Sequence, residues 1–417
     1  MIIDRLPPFT QRFFIPFRAK LSKPQFTHLW SLVLGVVVNL RAAKLVHLSA
    51  LAPAGGHRTR CGAFLGGSDW DAPALLHAAA SDLLASMNPR AGEVAYLILD
   101  DTRLAKRGKK MAWVSKIWDH KQHKFVKGHV VLTAAVAFRG VVLPFRIELW
   151  KPKGHSGPRY RKLTDMAAAM IRAFQAPAGV RVRVLFDAFY LCPKVAGACE
   201  SNGFTFFSVA QRNRNFRTAN GKTRKIAKLI PGLIRHKGKS VRMKRSRKTA
   251  RLRVACVDGH LSRIGPVRMV VSKRPRGPWK SCIAIVTNET GLRARQVVEV
   301  YECRWLIEVL FKELAQDLTG RAEPCPGLGD YQMLQTDGIV RHLHVCCLAH
   351  LLLTHHSLEG LGAQARKPNE QVNLPTMSQR LAGLRTRIAK DEICRIVKGP
   401  EHARLRSKLL EHLLPAA

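Results

Sequence analysis

Apolar residues recur at helical spacing in the first 90 residues of the chain. The pattern covers residues 26–51 and returns in DAPALLHAAASDLLASM after Trp70. Apolar side chains three and four residues apart line one face of a helix, so both segments are predicted to be helical. The most apolar stretch, LWSLVLGVVV at 29–38, falls well short of the roughly 20 residues of a membrane-spanning helix. We therefore predict a buried helix there.

Between about residue 91 and residue 211 the pattern changes to short apolar strands separated by turns and helices. Its predicted strands and helices are, in order, EVAYLILD, KIWDH with KFVKGHVVLTAAVAF, RGVVLPFRIELW, the helix RKLTDMAAAMIRAF, the strand VRVRVLFD, the helix PKVAGACESNG and the strand FTFFSVA. At least three consecutive strands thus precede alternating helices and strands. This order, β-β-β-α-β-α-β, predicts an α/β fold with a mixed sheet.

The composition changes again at residue 212. Residues 212–253 hold 17 Lys+Arg and no Asp or Glu, and alternating segments such as RLRVACV, VRMVVS and CIAIVTN follow. We predict a basic, β-rich insertion there. Helical spacing returns with GLRARQVVEVYECRWLIEVLFKELAQDL. The predicted divisions are a helical N-terminal region (1–90), the first part of the α/β domain (91–211), the insertion (212–290), further helices (291–360) and a basic helical tail (361–417).

The charge balance favours a polyanionic partner. The 417 residues include 70 Lys+Arg against 28 Asp+Glu, a formal net charge of +42. Nucleic acid is the first candidate partner and an anionic membrane surface the second. Ten cysteines without a CxxC pair fit reduced thiols. The opening MIIDRLPPF lacks the basic-then-apolar order of a secretory signal, so a cytoplasmic protein without a membrane partner is expected.

Three acidic residues stand where divalent cations could be held. Asp100 and Asp187 each end an apolar strand, and Glu308 lies in a predicted helix. Carboxylate oxygens are ligands that Mg²⁺ prefers, and such an ion keeps positions open for water and phosphate. The helical period places four side chains on the face that carries the glutamate: Tyr301, Arg304, Glu308 and Lys312.

Local readings of the same residues remain open. Asp100 and Asp101 could cap a turn at the strand end, and Asp187 could do the same. Arg304 and Glu308 could form an ordinary i,i+4 surface pair. A group of histidines and cysteines resembles a zinc site, but leucines and a valine among them make a buried helix sufficient; the group is His342, His344, Cys346, Cys347 and His350.

Three sequence blocks, in order, resemble the DDE transposases of bacterial insertion sequences. LILDDT followed by K-x-G-K, which begins at Lys106, resembles the block around the first aspartate of that family. VLFDAFY with FFSVAQRNRNF resembles the second block, and Y-x-x-R-W-x-I-E-x-x-F-K resembles the block on its glutamate helix. The resemblance covers most of the chain and implies a ribonuclease-H-like catalytic domain with a β-rich insertion before the glutamate.

The resemblance also implies a chemistry. Asp100, Asp187 and Glu308 would hold two Mg²⁺ ions, with Mn²⁺ as a substitute. The enzyme would cut a strand at the end of the element and use the freed 3′-hydroxyl to attack target DNA. The D-x-T pattern of the family matches Asp100, with Thr102 as its threonine, which leaves a supporting or capping role for Asp101. The family lysine is expected seven residues after the glutamate, where this chain has Ala315.

Other residues are predicted to contact DNA. Tyr301 would contact phosphate, and Arg304 and Lys312 would neutralise phosphates near the metals. The cationic run from Arg212 to Arg253 would supply sequence-independent affinity or, alternatively, form only a solvated loop. Trp279 is either a stacking platform for an unpaired base or a core residue. The residues outside the three acids assigned to DNA are Lys106, Arg212, Arg214, Trp279, Tyr301, Arg304 and Lys312.

The expected partner is double-stranded DNA, both the element ends and the target. The family implies a homodimer in the paired-end complex and a bacterial, nucleoid-associated protein. The helical region 1–90 is expected to bind the element ends. Two other functions remain open: a catalytically inactive, transposase-derived DNA-binding protein, and a nuclease of the same fold that cuts without joining.

Overall fold

The computed structural model describes residues 2–108, 110–119, 123–155, 160–245, 248–315, 327–362 and 370–398. The chain folds into two compact units. The helical unit comprises Met1–Ala79, Lys312–Ala365 and Asn373–Ala417, and the sheet unit comprises Ala80–Phe311 and Arg366–Val372. Parts of the predicted tail, residues 363–369 and 399–417, lie outside the described residues, as does Lys109 of the K-x-G-K block.

The α-helices of the described residues are numbered in chain order. They are α1 (Gln11–Phe14), α2 (Lys23–Val38), α3 (Leu45–Leu51), α4 (Arg58–Gly66), α5 (Ala72–Ser86), α6 (Leu163–Ala173), α7 (Pro193–Ser201), α8 (Ile226–Lys237), α9 (Ala294–Glu302), α10 (Trp305–Leu314), α11 (Thr336–Gly360) and α12 (Met377–Lys398). The predicted helices at 161–174 and 193–203 are confirmed as α6 and α7.

The strands are numbered in the same way. They are β1 (Val94–Ala105), β2 (Ser115–Asp119), β3 (Lys124–Phe138), β4 (Val141–Leu149), β5 (Arg181–Phe186), β6 (Thr205–Val209), β7 (Asn215–Thr218), β8 (Thr223–Lys225), β9 (Lys239–Arg245), β10 (Lys248–Leu261), β11 (Gly265–Lys273) and β12 (Ile283–Thr287).

The helical unit is built around two apolar helices, α2 and α11. Ser22 begins α2 with a capping box, in which its hydroxyl accepts from the Gln25 backbone and the Gln25 side chain accepts from the Ser22 backbone. Residues 29–38 are buried, so the predicted buried helix is confirmed. The histidines and cysteines of the suspected zinc group are buried on α11. No helix among the described residues is long and apolar enough to cross a membrane.

Within its described residues, the sheet unit contains a twelve-stranded sheet. Its first half places β4, β3 and β1 side by side as antiparallel neighbours, and β5 and β6 continue from β1 as parallel strands. Connections through α6 and α7 join the parallel strands, as parallel pairing requires. Three antiparallel strands followed by parallel strands alternating with helices form the ribonuclease-H-like arrangement, and this predicted fold class is confirmed.

The segment between 212 and 290 extends the same sheet. β12 pairs with β6, and β11, β10 and β7 follow in order, so the strands of the insertion continue the ribonuclease-H-like sheet. The segment also contains a helix, α8, that the alternating pattern alone did not predict. Its buried face consists of Ile226, Ile230 and Ile234, which recur every four residues as an amphipathic helix requires.

Candidate active site

Asp100 lies near the middle of β1, at the centre of the ribonuclease-H-like half of the sheet. It follows the buried run Leu97–Leu99 and lies opposite Thr133 of β3. Its side chain is 19 % exposed. One carboxylate oxygen, Oδ1, accepts a hydrogen bond from the Asp101 backbone nitrogen at 2.9 Å. The acid is therefore held on a rigid strand with one oxygen already oriented.

Asp187 follows directly after β5, the strand parallel to β1. Its Oδ1 accepts from the Ala188 nitrogen at 2.6 Å and begins a short 3₁₀ turn over Ala188–Tyr190. Its backbone carbonyl also accepts from the Ser208 hydroxyl of β6 at 3.2 Å. Asp187 therefore has the capping role that was one of its predicted alternatives. The residue is exposed at the carboxyl end of β5, and its cap uses only Oδ1.

Arg304 connects Glu308 of α10 to Asp100 of β1. Arg304 donates from Nη1 to Asp100 Oδ2 at 2.8 Å and from Nη2 to Glu308 Oε1 at 2.5 Å. The i,i+4 pair expected from the sequence is therefore real. The same guanidinium also bridges to Asp100, which makes the pair part of a three-residue cluster instead of an isolated surface contact.

Asp100 and Asp187 are electrostatically linked. Burial raises the pKa of Asp100 to about 6, against the opposing effect of the Arg304 charge, and the negative charges of Asp101 and Asp187 raise it further. Burial likewise raises the pKa of Tyr301 to about 12, and Asp187 and Asp100 both contribute to that rise. Tyr301, on α9, therefore shares the electrostatic environment of both aspartates, and its phenol stays protonated at neutral pH.

Asp101 faces a different partner from its neighbour. Its Oδ1 accepts from the Tyr190 hydroxyl at 2.7 Å, and its Oδ2 lies 3.8 Å from Arg103. Tyr190 is almost fully buried, only three residues after Asp187. The hydrogen bond therefore ties the turn that carries Asp187 to the strand that carries Asp100. We did not predict this link from the sequence, although Tyr190 lies within the VLFDAFY block.

The chemistry of these donors fits a hard divalent cation. Carboxylate oxygens are its preferred ligands. The charge of Asp100 is compensated incompletely by Arg304, since its pKa stays raised, and a nearby divalent cation would stabilise the ionised form. Within the described part of the chain, however, no three His, Cys, Asp or Glu side chains already form a group that could hold a metal ion. Arg304 is the cation that Asp100 and Glu308 share in this arrangement.

Two of the predicted DNA-contacting arginines are engaged with backbone carbonyls. Arg214 donates to the carbonyl oxygens of Leu191 at 2.9 Å and Ser262 at 2.7 Å. Arg212 donates to the Trp279 carbonyl at 3.1 Å. Arg212 therefore links two parts of the insertion, and Arg214 joins the insertion to the segment that follows Asp187.

Trp279 lies on the surface of the insertion, with 39 % of it exposed. The Lys273 ammonium lies 5.1 Å from its ring centre and the Arg235 guanidinium 5.9 Å. The core alternative for this residue is therefore wrong. The ring of Trp279 is therefore partly exposed, with two cations beside it.

Lys106 and Lys312 are the other residues predicted to contact DNA. Lys106 follows β1, and its backbone nitrogen donates to the Lys127 carbonyl at 2.8 Å. Lys312 is exposed near the end of α10, in the part of that helix that belongs to the helical unit. The histidines of α11 are bound elsewhere: His342 lies 3.1 Å from the Gly327 carbonyl and His350 lies 2.8 Å from Glu313.

The sequence comparison agrees with the geometry. The sequence profile of a family described as DDE superfamily endonuclease matches residues 16–249, more than half of the chain. The match includes Asp100 and Asp187 and ends before Glu308. No curated protein matches the chain. Members of this family generally use divalent metal ions and act on DNA. The chain belongs to the DDE superfamily endonucleases.

Proposed function

We propose that this protein is a DNA transposase that cuts the ends of an insertion sequence and joins the freed 3′-hydroxyl ends to target DNA. The observation that carries the proposal is the Arg304 bridge between Asp100 and Glu308. The bridge brings Glu308 of α10 close to Asp100 of β1. Asp187 ends the neighbouring strand and contributes to the electrostatics of the same cluster.

We assign the binding of two Mg²⁺ ions, or Mn²⁺ as a substitute, to Asp100, Asp187 and Glu308. Bound there, the ions would activate the attacking water or 3′-hydroxyl and stabilise the leaving oxygen of an in-line displacement. Asp100 and Asp187 each have one oxygen oriented by a backbone nitrogen, which supports this assignment. Carboxylates that are already oriented lose little conformational freedom when they bind a metal ion.

Tyr301 and Arg304 would act on the DNA backbone. The raised pKa of Tyr301 keeps its hydroxyl protonated, so the residue is suited to donate a hydrogen bond to a phosphate and unsuited to attack one. Arg304 would exchange one or both carboxylate partners for a phosphate oxygen, because a guanidinium binds either group in the same planar geometry. Lys312 and Lys106 would neutralise flanking phosphates as point charges.

The insertion would supply much of the affinity for DNA. Its run of cations, including Arg212 and Arg214, would release counterions from the duplex, and Trp279 would stack on an unpaired base. The helical region 1–90 would bind element ends, and two copies of the chain would act in the paired-end complex. Such a protein would work at the bacterial nucleoid.

A nuclease that cuts without joining would use the same acids, so joining needs its own test. A plasmid with this gene and its natural flanking DNA supplies the element ends. A pre-cut end with a free 3′-hydroxyl, mixed with the protein, Mg²⁺ and a target plasmid, should become covalently attached to the target. A matched end with a 3′-deoxy terminus should not. Cleavage of the ends without any attachment would limit the protein to the nuclease function.

A further inference from the structure

The hairpin formed by β2 and β3 carries an exposed aromatic and basic patch outside the acidic cluster. Trp118 of β2 lies opposite Phe125 of β3, and Lys116 lies opposite Lys127. The two aromatic residues are 38 % and 57 % exposed. Their rings meet edge to face at 5.0 Å, and the Lys116 ammonium lies 4.8 Å from the Phe125 ring centre. We call these four residues the hairpin patch.

The hairpin has two different faces. Ile117, between Lys116 and Trp118, is buried, so the alternation of the strand places the apolar residue inward and the patch outward. Two adjacent exposed aromatic side chains beside two lysines form a small contiguous patch, which is more informative than single exposed apolar residues. The pattern therefore indicates a surface that contacts a partner.

The hairpin patch lies on the same face of the sheet as Asp100. Thr133 is the β3 residue opposite Asp100, and residues directly opposite in an antiparallel pair point to the same side. Phe125 and Lys127 are eight and six positions from Thr133 along the strand, an even number in each case. The period of two therefore returns their side chains to that face.

The spacing between the patch and the acid can be derived from the strand. Eight residues at about 3.3 Å per residue place Phe125 about 26 Å from Thr133 along β3. A DNA duplex rises about 3.4 Å per base pair, so this distance spans about eight base pairs. Measured along β3, the patch therefore lies about eight base pairs from Thr133, the residue opposite Asp100.

We propose that the hairpin patch is a second contact site for double-stranded DNA, about eight base pairs from the phosphate at Asp100. This inference rests on the proposed function only for the position of the cut phosphate. Lysines would bind backbone phosphates, and the aromatic pair would pack against the sugar edge of the groove. Exposed lysines on an edge strand oppose pairing with another strand, and the net charge of +42 favours DNA over a second copy of this chain.

Binding to duplexes of graded length tests this proposal. Anisotropy in EDTA, which prevents metal-dependent cutting, would compare the wild type with Trp118→Ser/Phe125→Ser on duplexes that extend 4, 8, 12 or 16 base pairs, about half a turn to one and a half turns, beyond the element end. We expect the variant to bind at least fivefold more weakly to the two longer duplexes and as well as the wild type to the shortest. Leu334→Ser is the matched control, since Leu334 is an exposed apolar residue to which no DNA contact is assigned.

The lysines give a second, independent measurement. Lys116→Gln/Lys127→Gln should lower the slope of log affinity against log salt by about two, since each lost phosphate contact lowers it by about 0.9. The aromatic variant should leave the slope unchanged. Equal binding by wild type and variants at all lengths, or an equal loss in Leu334→Ser, would overturn the proposal. A variant that loses self-association and keeps its DNA affinity would also overturn it.

The outcome for the patch is separable from that for the catalytic function. If the length-dependent loss occurs and the wild type does not cut DNA in Mg²⁺, the hairpin contact stands and the proposed transposase activity fails. If the wild type cuts and the hairpin variants bind like the wild type, the transposase function stands and the contact fails.

Discussion

Arg304 and Asp100 form an ion pair at 2.8 Å, although 204 positions separate them in the sequence. The contact joins the central strand of a ribonuclease-H-like sheet to the helix that carries Glu308. It occupies one oxygen of each of two acids that a divalent cation would also bind. Arg304 therefore holds Asp100 and Glu308 together and would compete with a divalent cation for their oxygens.

Removing the competing guanidinium should strengthen metal binding. We expect Arg304→Gln to bind Mn²⁺ about tenfold more tightly in the absence of DNA, a difference of about 1.4 kcal/mol, because a positive charge next to the acids is lost. Free Mn²⁺ measured by electron paramagnetic resonance would report the affinity. Arg295→Gln, which breaks an exposed i,i+4 pair with Glu299, is the control. Weaker Mn²⁺ binding by Arg304→Gln would mean that the arginine mainly orients the acids.

The hydrogen bond between Tyr190 and Asp101 should contribute to stability. Tyr190→Phe leaves a largely buried carboxylate without that donor, and hydrogen bonds to charged groups contribute about 1.5–3 kcal/mol. We expect urea unfolding to show a loss of this size. Tyr160→Phe, in a tyrosine that packs edge to face against Trp150, should change stability far less. Equal effects of both substitutions would show that the Asp101 contact contributes little.

Lowering the pH should destabilise the helical unit before most carboxylates become protonated. Burial lowers the pKa of His350, although Glu313 opposes this effect. Burial also lowers the pKa values of His355 and His356. The unfolded chain then binds more protons than the folded chain, so stability is lost as pH falls below about 6.5.

Protonation of Glu313 should lower the stability of the helical unit further at lower pH. Burial acts to raise its pKa, but the hydrogen bonds and charges of His350 and Arg380 outweigh burial and lower it. Its contribution is present above the ordinary glutamate range and is lost as pH falls through the lowered pKa. Urea unfolding between pH 7.5 and pH 5.5 should show falling stability, and His350→Gln should reduce the slope by up to about 1.4 kcal/mol per pH unit. An unchanged slope in that variant would contradict the assignment.

The basic segment should determine much of the salt dependence of DNA binding. Arg224 is exposed within it, and Arg224→Gln should lower the slope of log affinity against log salt by about 0.9. Arg172→Gln, an exposed arginine on α6, should leave the slope nearly unchanged. A similar change in both variants would indicate that net charge, and not this segment, sets the affinity.

Much of this fold follows from local sequence patterns. The apolar run that precedes Asp187 was predicted correctly, and the helices between the strands have clear helical spacing. The prediction that Asp100 ends its strand is wrong, because β1 continues through polar residues to Ala105 by pairing with β3. The i,i+4 spacing of Arg304 and Glu308 could also be predicted. The continuous helix predicted for them is wrong, because α9 ends at Glu302 and α10 begins at Trp305, so Arg304 lies in the turn between the two helices. Family membership agrees with the sequence blocks at both aspartates.

Contacts between distant segments were not predictable. Nothing near Asp100 in the sequence indicates that Arg304 binds it, or that Tyr190 binds Asp101, since such contacts depend on how strands and helices pack. The insertion shows the same limit: its strands could be predicted, but their pairing with β6 could not. The isoleucines of α8 did carry a helical signal, which the neighbouring cations and Pro231 obscured.

The most direct test of the central claim is DNA cleavage by Glu308→Gln. With Mg²⁺ and a plasmid that carries the natural flanking DNA, we expect cutting at the element boundaries to fall at least about a thousandfold, because the loss of a metal ligand removes several kcal/mol of transition-state stabilisation. DNA affinity should stay within about twofold. Glu299→Gln, an exposed glutamate of α9, should cut like the wild type. Cleavage by Glu308→Gln at the wild-type rate would contradict the assignment of Glu308, with Asp100 and Asp187, to the catalytic centre.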